Sequence, residues 1–267
     1  MRQDSLTAAA SGPTIARPTV ASLYLRMEFE GSPLGTATGF IAERDGVEYL
    51  VTNFHVVSGR DPETGANIRP DGAWPDSIQI VHNAAVGVGH WVPKTERLYG
   101  ADGAPLWLEH PTHRARVDVI ALPLTDTSGV QVYAHDPWML QRVAIVMAGS
   151  LSIVGFPFGT AYGGAMATWV QGFVATEWQI DYGNLPRFLV DSRTREGQSG
   201  SPVIFYNVGG GFTDLQGNTV LGSGVVEQFV GVYSGRINEQ SDLGFVWKAS
   251  SLVEVIQGGV RGSLQGP

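Results

Sequence analysis

The sequence predicts an all-β protein, a sandwich or a pair of barrels, with one helix near the C-terminus. Three observations carry this. Glycine makes up 35 of 267 residues and is scattered with no collagen-type period or long repeat, the mark of a chain with many turns. Short apolar runs bounded by turn residues recur along nearly the whole length, as strands do. Only Ser250–Gln257 reads as a helix, with a serine start and Gly258 as its stop.

The elements follow in order. Leu23, Leu25, Met27 and Phe29 alternate with Tyr24, Arg26 and Glu28, a strand with one buried face. Thr36–Ala42 and Glu48–Asn53 form a hairpin across Arg44-Asp45-Gly46. Further strands are expected at Ser77–His82, Val117–Leu122, Leu151–Phe156 and Thr168–Glu177. Others are expected at Arg187–Asp191, Pro202–Tyr206, Phe229–Tyr233 and Gly244–Lys248. Ser58–Asp76 and Val86–Arg116 read as long loops. Residues 143–176 carry no charge, yet six glycines and a proline interrupt them, so they read as two buried strands and not as a membrane helix. A chain of 267 residues suggests about two domains. The boundary falls in the loop Thr125–Leu140, dividing residues 19–130 from 131–267, with 1–18 as a flexible arm.

Composition excludes several classes of function. The net charge is −8, from 17 basic and 25 acidic residues. Lysine occurs only at Lys94 and Lys248 and no basic run exists, which speaks against nucleic-acid binding and polybasic membrane contact. There is no cysteine, so disulfides, thiolate metal sites and cysteine nucleophiles are out. The longest small-apolar run before Pro18 is Ala8-Ala9-Ala10, too short for a secretory leader, and a cytoplasmic protein is expected. His110 and His113 are spaced as a ligand pair would be, but Pro111 lies between them and no third ligand is evident. Neither metal nor cofactor is expected.

Three segments carry chemistry. In Glu196-Gly197-Gln198-Ser199-Gly200-Ser201-Pro202, glycines flank a serine just before an apolar strand. Such a turn exposes the hydroxyl to a carbonyl and lets backbone N–H groups converge on a developing oxyanion. Leu50-Val51-Thr52-Asn53-Phe54-His55-Val56-Val57 places a histidine where an apolar strand ends. In Arg116-Val117-Asp118-Val119-Ile120-Ala121-Leu122 an aspartate opens an apolar strand, and if buried it needs a strong partner. Each segment alone has a plain structural reading. Together they stand in the order His, Asp, Ser, one of the known triad orders.

With these motifs the sequence resembles the trypsin/chymotrypsin-like serine peptidases over about residues 20–257. Its look is closest to bacterial HtrA-type and glutamyl-endopeptidase-like members. Thr38-Gly39-Phe40-Ile41, Val51–Val56 and Gly155-Phe156-Pro157-Phe158-Gly159 carry the bacterial pattern. The resemblance implies two antiparallel six-stranded β-barrels, with His55 and Asp118 on the first and Ser199 on the second. It implies a serine endopeptidase in which Ser199 attacks a peptide carbonyl, His55 takes its proton and Asp118 orients His55. The N–H groups of Gly197 and Ser199 would form the oxyanion hole. Ser234 would hydrogen-bond Asp118, and Tyr233-Ser234-Gly235-Arg236 would line the primary pocket and pair with a peptide substrate. Arg193, with Thr194 after it, occupies the pocket-base position and suggests an acidic substrate side chain.

Two departures matter. Gln198 stands where trypsin-like zymogens carry the aspartate that pairs with a new N-terminus, so that mode of activation is not expected. The C-terminal peptide-binding domain of HtrA proteins is not expected either. The competing readings are a catalytically silent or allosterically activated relative that serves as a binding module, and an esterase. The α/β-hydrolase signature fails, because Ser201 ends the window and a strand follows it. The partner expected is a protein or peptide substrate, and a regulatory protein on the long loops is left open.

Overall fold

A computed structural model of the chain describes residues 15–238 and 240–264. Residues 1–14, most of the expected arm, lie outside them. Arg17 and Pro18 do not belong to an arm: they open a one-turn helix, α1 (Arg17–Ala21), with proline in its first turn, where its missing N–H is harmless.

The N-terminal half runs β1 (Ser22–Phe29), β2 (Ser32–Arg44), β3 (Val47–Thr52), a second short helix α2 (Phe54–Ser58), β4 (Ser77–Asn83), β5 (Trp91–Arg97), β6 (Leu108–Glu109) and β7 (Ile120–Pro123). The C-terminal half continues with β8 (Ser150–Gly155), β9 (Thr168–Val174), β10 (Arg187–Ser192) and β11 (Pro202–Asn207). A small separate hairpin, β12 (Phe212–Thr213) with β13 (Thr219–Val220), leads to β14 (Val226–Arg236), β15 (Leu243–Lys248), helix α3 (Ala249–Gly258) and β16 (Val260–Arg261).

The protein is mostly β, as expected. Its C-terminal half is a closed six-stranded barrel in the order β10-β15-β14-β11-β8-β9. Its N-terminal half is one antiparallel sheet, β16-β6-β7-β3-β2-β1-β4-β5. Six strands of that sheet are at least four residues long, and β6 and β16 are two-residue pieces. Alternation along β1 and β4 sends Leu23, Leu25, Ile78 and Ile80 inward against Leu50, Trp107 and Leu122. The C-terminal barrel has its own core of Leu151, Ile153, Phe188, Val190 and Val203. A third cluster joins the halves: Phe40, Val51 and Val119 pack with Val154, Phe156, Trp247 and Leu252.

The hairpin turn lies where expected, with Asp45 at φ 51° and Gly46 at φ 78°, the two left-handed residues that a tight hairpin demands. Three expectations need correction. The stretch read as a loop over Val86–Arg116 contains β5 and β6. The strand read as Val117–Leu122 begins only at Ile120, so Asp118 lies in the turn before it. Helix α3 starts at Ala249, not Ser250, because Lys248 is the cap residue; the Ser251 hydroxyl bonds the Pro186 carbonyl at 3.2 Å instead of capping.

The chain ends cross over. Near the N-terminus, α1 docks on the C-terminal half: Thr19 O accepts the Ala167 N–H at 3.2 Å and Thr19 Oγ1 accepts the Trp169 indole N–H at 2.8 Å. Near the C-terminus, β16 pairs with β6 in the N-terminal sheet.

Candidate active site

His55 sits on α2, the single turn that follows β3. The turn stops at Gly59, at φ 65°. A Cβ there would lie 3.0 Å from Trp74, so both the backbone twist and the packing call for glycine. Asp118 is 3 % exposed, fixed between the buried Val117 and Val119. Its Oδ2 lies 2.7 Å from His55 Nδ1 and its Oδ1 accepts the His55 backbone N–H at 3.0 Å. The Asn53 amide donates to the Asp118 carbonyl at 2.6 Å. One carboxylate thus holds both ring and backbone of the histidine. Burial depresses the His55 pKa, but the charge of Asp118, its hydrogen bond and the charge of Asp61 outweigh burial, and the net shift is upward from 6.5.

Ser199 lies in the turn between β10 and β11. Gly197 and Gly200 on either side have φ 89° and 84°. A Cβ on Gly200 would lie 2.1 Å from the Thr38 carbonyl, so no other residue fits. Two strands clamp the turn. From β2, the Thr38 N–H donates to Ser199 O at 2.9 Å and the Thr38 hydroxyl donates to Gly197 O at 2.8 Å. From β14, Tyr233 exchanges bonds with its far end: Gly200 N–H to Tyr233 O and Tyr233 N–H to Ser201 O, both 2.9 Å. The Glu196 carbonyl accepts the Phe158 N–H at 2.6 Å. In a planar trans peptide this turns the Gly197 N–H the opposite way. Neither that N–H nor the Ser199 N–H meets an acceptor among the described residues.

His55, Gly197 and Ser199 line one cleft of about 520 Å³, with Met27, Leu34 and Phe158 on its apolar side. On the other side of Ser199 a second cavity of about 260 Å³ is lined by Arg195, Glu196, Tyr233, Gly235, Arg236 and Asn238. The structure therefore brings His55, Asp118, Ser199 and Gly197 to one place, with Tyr233, Gly235 and Arg236 beside them. No hydrogen bond joins the Ser199 hydroxyl to His55 among the described residues.

Ser234 and Arg193 are placed otherwise than expected. Ser234 Oγ accepts the Trp247 indole N–H at 3.1 Å and makes no bond to Asp118. It is the extra residue of a bulge in the β14–β15 pairing, where Tyr233 faces Val246 and Gly235 faces Phe245, and the bulge turns its side chain toward β15. Arg193 is exposed and lines neither cavity. The alternation of β10 persists past its end, so Ser192 and Thr194 point inward and Asp191 and Arg193 outward. The basic groups at the small cavity are Arg195 and Arg236.

No cluster able to hold a metal ion occurs among the described residues. His110 is committed to the fold: its Nδ1 accepts the N–H groups of Thr112 and His113, both at 3.2 Å, and its Nε2 faces Glu254 at 3.1 Å.

The family model of the trypsin-like peptidase domain matches residues 37–209, from the strand that supports the serine turn to beyond the serine itself. The chain belongs to the trypsin-like peptidase family. No curated protein sequence matches it. Among solved structures it is similar to the thermostable serine protease AL20 from an extremophilic microorganism, at 10 % identity and TM-score 0.51, covering 90 % of this chain and 96 % of that one. It is also similar to the protease Anisep from Arthrobacter nicotinovorans, at 12 % identity and TM-score 0.51, covering 91 % and 98 %. At such identities the likeness speaks for the fold alone.

In this trypsin-like chain, sequence reasoning missed several supporting residues. Thr38, Thr52 and Asn53 lay inside quoted motifs without a role. Thr38 Oγ1 also accepts the Phe156 N–H at 3.1 Å, and the Thr52 hydroxyl donates to Thr38 O at 2.9 Å. A run of hydroxyl and amide residues at fully buried strand positions was the available signal, since such groups must find partners. Gln198 is buried, and its Oε1 accepts the Arg195 N–H at 2.9 Å, bracing the turn from within. Among the described residues, no helix is long and apolar enough to cross a membrane.

Proposed function

We propose that the protein is a serine endopeptidase in which Ser199 is the nucleophile, His55 the general base and acid, and Asp118 the orienting carboxylate. The observation that carries this reading is the two-point hold of Asp118 on His55, 2.7 Å to Nδ1 and 3.0 Å to the backbone N–H, in a cleft shared with Ser199. With the Nδ1 proton directed at Asp118, Nε2 keeps a lone pair for the Ser199 proton. Catalytic hydrogen bonds often tighten only with substrate bound, so the absent Ser199–His55 bond does not speak against the role.

In the reaction Ser199 Oγ adds to the peptide carbonyl carbon as its proton passes to His55 Nε2. Negative charge gathers on the former carbonyl oxygen, and the N–H groups of Gly197 and Ser199 receive it, each worth about 3 kcal/mol in such sites. The imidazolium, stabilised by Asp118, returns the proton to the leaving amine as the C–N bond breaks. Water then attacks the acyl-enzyme with His55 again as base, releasing the acid and restoring Ser199. Beyond Val232, β14 loses its pairing with β11, and Gly235 and Arg236 offer a backbone edge to an extended peptide.

A fluorophosphonate probe tests the proposal. Wild-type protein is expected to become labelled and to cleave a denatured protein substrate, and Ser199→Ala to do neither. Equal labelling of both would overturn the assignment of Ser199. No labelling of wild type between pH 6 and 9 would favour the silent binding module.

A further inference from the structure

We propose that the phenol of Tyr233, paired with the Thr194 hydroxyl, forms the floor of the substrate side-chain pocket beside Ser199 and selects a short side chain ending in a carbonyl or carboxylate oxygen, asparagine or aspartate. The inference rests on the peptidase reading above and deepens it.

The floor is built from residues usually spent on packing. Tyr233 is 1 % exposed, yet it lines the cavity on the β14 side of Ser199. Its ring lies flush on β15: a Cβ on Gly244 would be 2.5 Å from a ring carbon and 2.7 Å from the phenol oxygen. Gly244 therefore makes room for the ring, and the ring takes the depth that a small residue on β14 would leave to a substrate. The phenol is held at its far end by Thr194, fully buried, whose hydroxyl is hydrogen-bonded to it. A long or aromatic substrate side chain would have to displace this buried pair.

The pair also has chemistry to offer. Two hydroxyls carry two protons, and one hydrogen bond between them uses one. No protein acceptor takes the other among the described residues. Burial keeps the phenol protonated, pushing its pKa up to about 12, so it remains a neutral donor at physiological pH. Arg195 adds a guanidinium at the wall, braced by the Thr194 carbonyl at 2.7 Å and by Asp242 at 3.7 Å. A donor on the floor and a cation on the wall favour an oxygen acceptor and disfavour lysine or arginine.

The experiment is a peptide library varied at the residue preceding the cleaved bond, read as kcat/KM for the full chain. Wild type is expected to prefer asparagine and aspartate over phenylalanine, leucine, lysine and arginine. Tyr233→Phe keeps the ring and removes the hydroxyl. It is expected to lower kcat/KM for asparagine and aspartate substrates about ten-fold or more relative to alanine substrates, the scale of a lost specific hydrogen bond. Thr194→Val should do the same. Tyr233→Ala should gain activity on phenylalanine substrates, and the two hydroxyl variants keep the proposal testable if this cavity-forming variant does not fold. A wild-type preference for large or basic residues, or a Tyr233→Phe profile identical to wild type, overturns the inference and leaves the peptidase reading intact. Absence of both hydrolysis and fluorophosphonate labelling overturns the two together.

Discussion

At the scale of single residues, His55 is subject to opposed forces, and their balance sets the pH response. Burial acts first and favours the neutral ring; Asp118, with Asp61 behind it, favours the cation and prevails. The proposed general-base role needs the neutral form, so kcat/KM should rise with pH through a midpoint above 6.5, the ordinary histidine value. A pH–rate profile checks this, and a profile flat through that range would contradict the role of His55. The sign for stability is opposite. The folded-state pKa lies above the unfolded one, so the contribution of the pair is fully present below 6.5 and disappears as pH rises through the folded value. Asp118→Asn leaves burial unopposed at close range. The variant should lose about ten-thousand-fold in kcat, the scale found when a triad aspartate becomes an amide. By NMR titration its His55 should titrate at lower pH than in the wild type.

At the scale of elements, β2 decides whether the serine turn exists. Thr38 alone supplies a backbone donor to Ser199 O, a hydroxyl donor to Gly197 O and an acceptor for the Phe156 N–H. Thr38→Val keeps the shape and strands two buried backbone groups, at about 1–3 kcal/mol each. It should lower the thermal midpoint and reduce kcat more than KM, as expected if the oxyanion donors lose their aim. Gly200→Ala should be worse, because both its φ of 84° and the 2.1 Å approach to Thr38 O forbid a Cβ; circular dichroism on heating would show it.

These elements also show what the sequence could and could not tell. Strands with clear alternation, β1 and β4, were legible, as were the three motifs that meet at the cleft. Strand β5 was not, since Trp-Val-Pro-Lys-Thr-Glu-Arg mixes a proline with charges. It is tolerated because β5 is an edge strand, where a missing N–H costs little. Helix α2 is too short to show a period. The errors at Ser234 and Arg193 share one cause. Side-chain direction near a strand end depends on bulges and on register, and residue spacing carries neither.

At the scale of the whole molecule, buried histidines govern the acid response. His135 is 2 % exposed, edge-on to Phe40 and tilted on Phe229, with Arg17 and Glu227 facing it. Burial, aided by the charge of Arg17, lowers its pKa to about 3; burial and Lys94 lower that of His82 to about 4. Here the unfolded chain takes up protons first, so stability should fall as pH drops from 6.5 toward these values. His135 makes no side-chain hydrogen bond among the described residues, and His135→Phe fits its aromatic surroundings. The variant should lose less of its thermal midpoint than wild type between pH 7.5 and 5, by differential scanning calorimetry.

The crossed chain ends have a consequence for how the protein is made. A ribosome delivers the N-terminal half first, yet that half obtains β16 only from residues 260 and 261. Helix α1 emerges long before the barrel that receives it. The proposed nucleophile and its proposed base also reside on opposite halves, and Thr38 reaches the serine turn only when those halves meet. A nascent chain thus carries His55 and Asp118 with nothing to activate. The proposed hydrolytic site is complete only once the two halves have closed on one another.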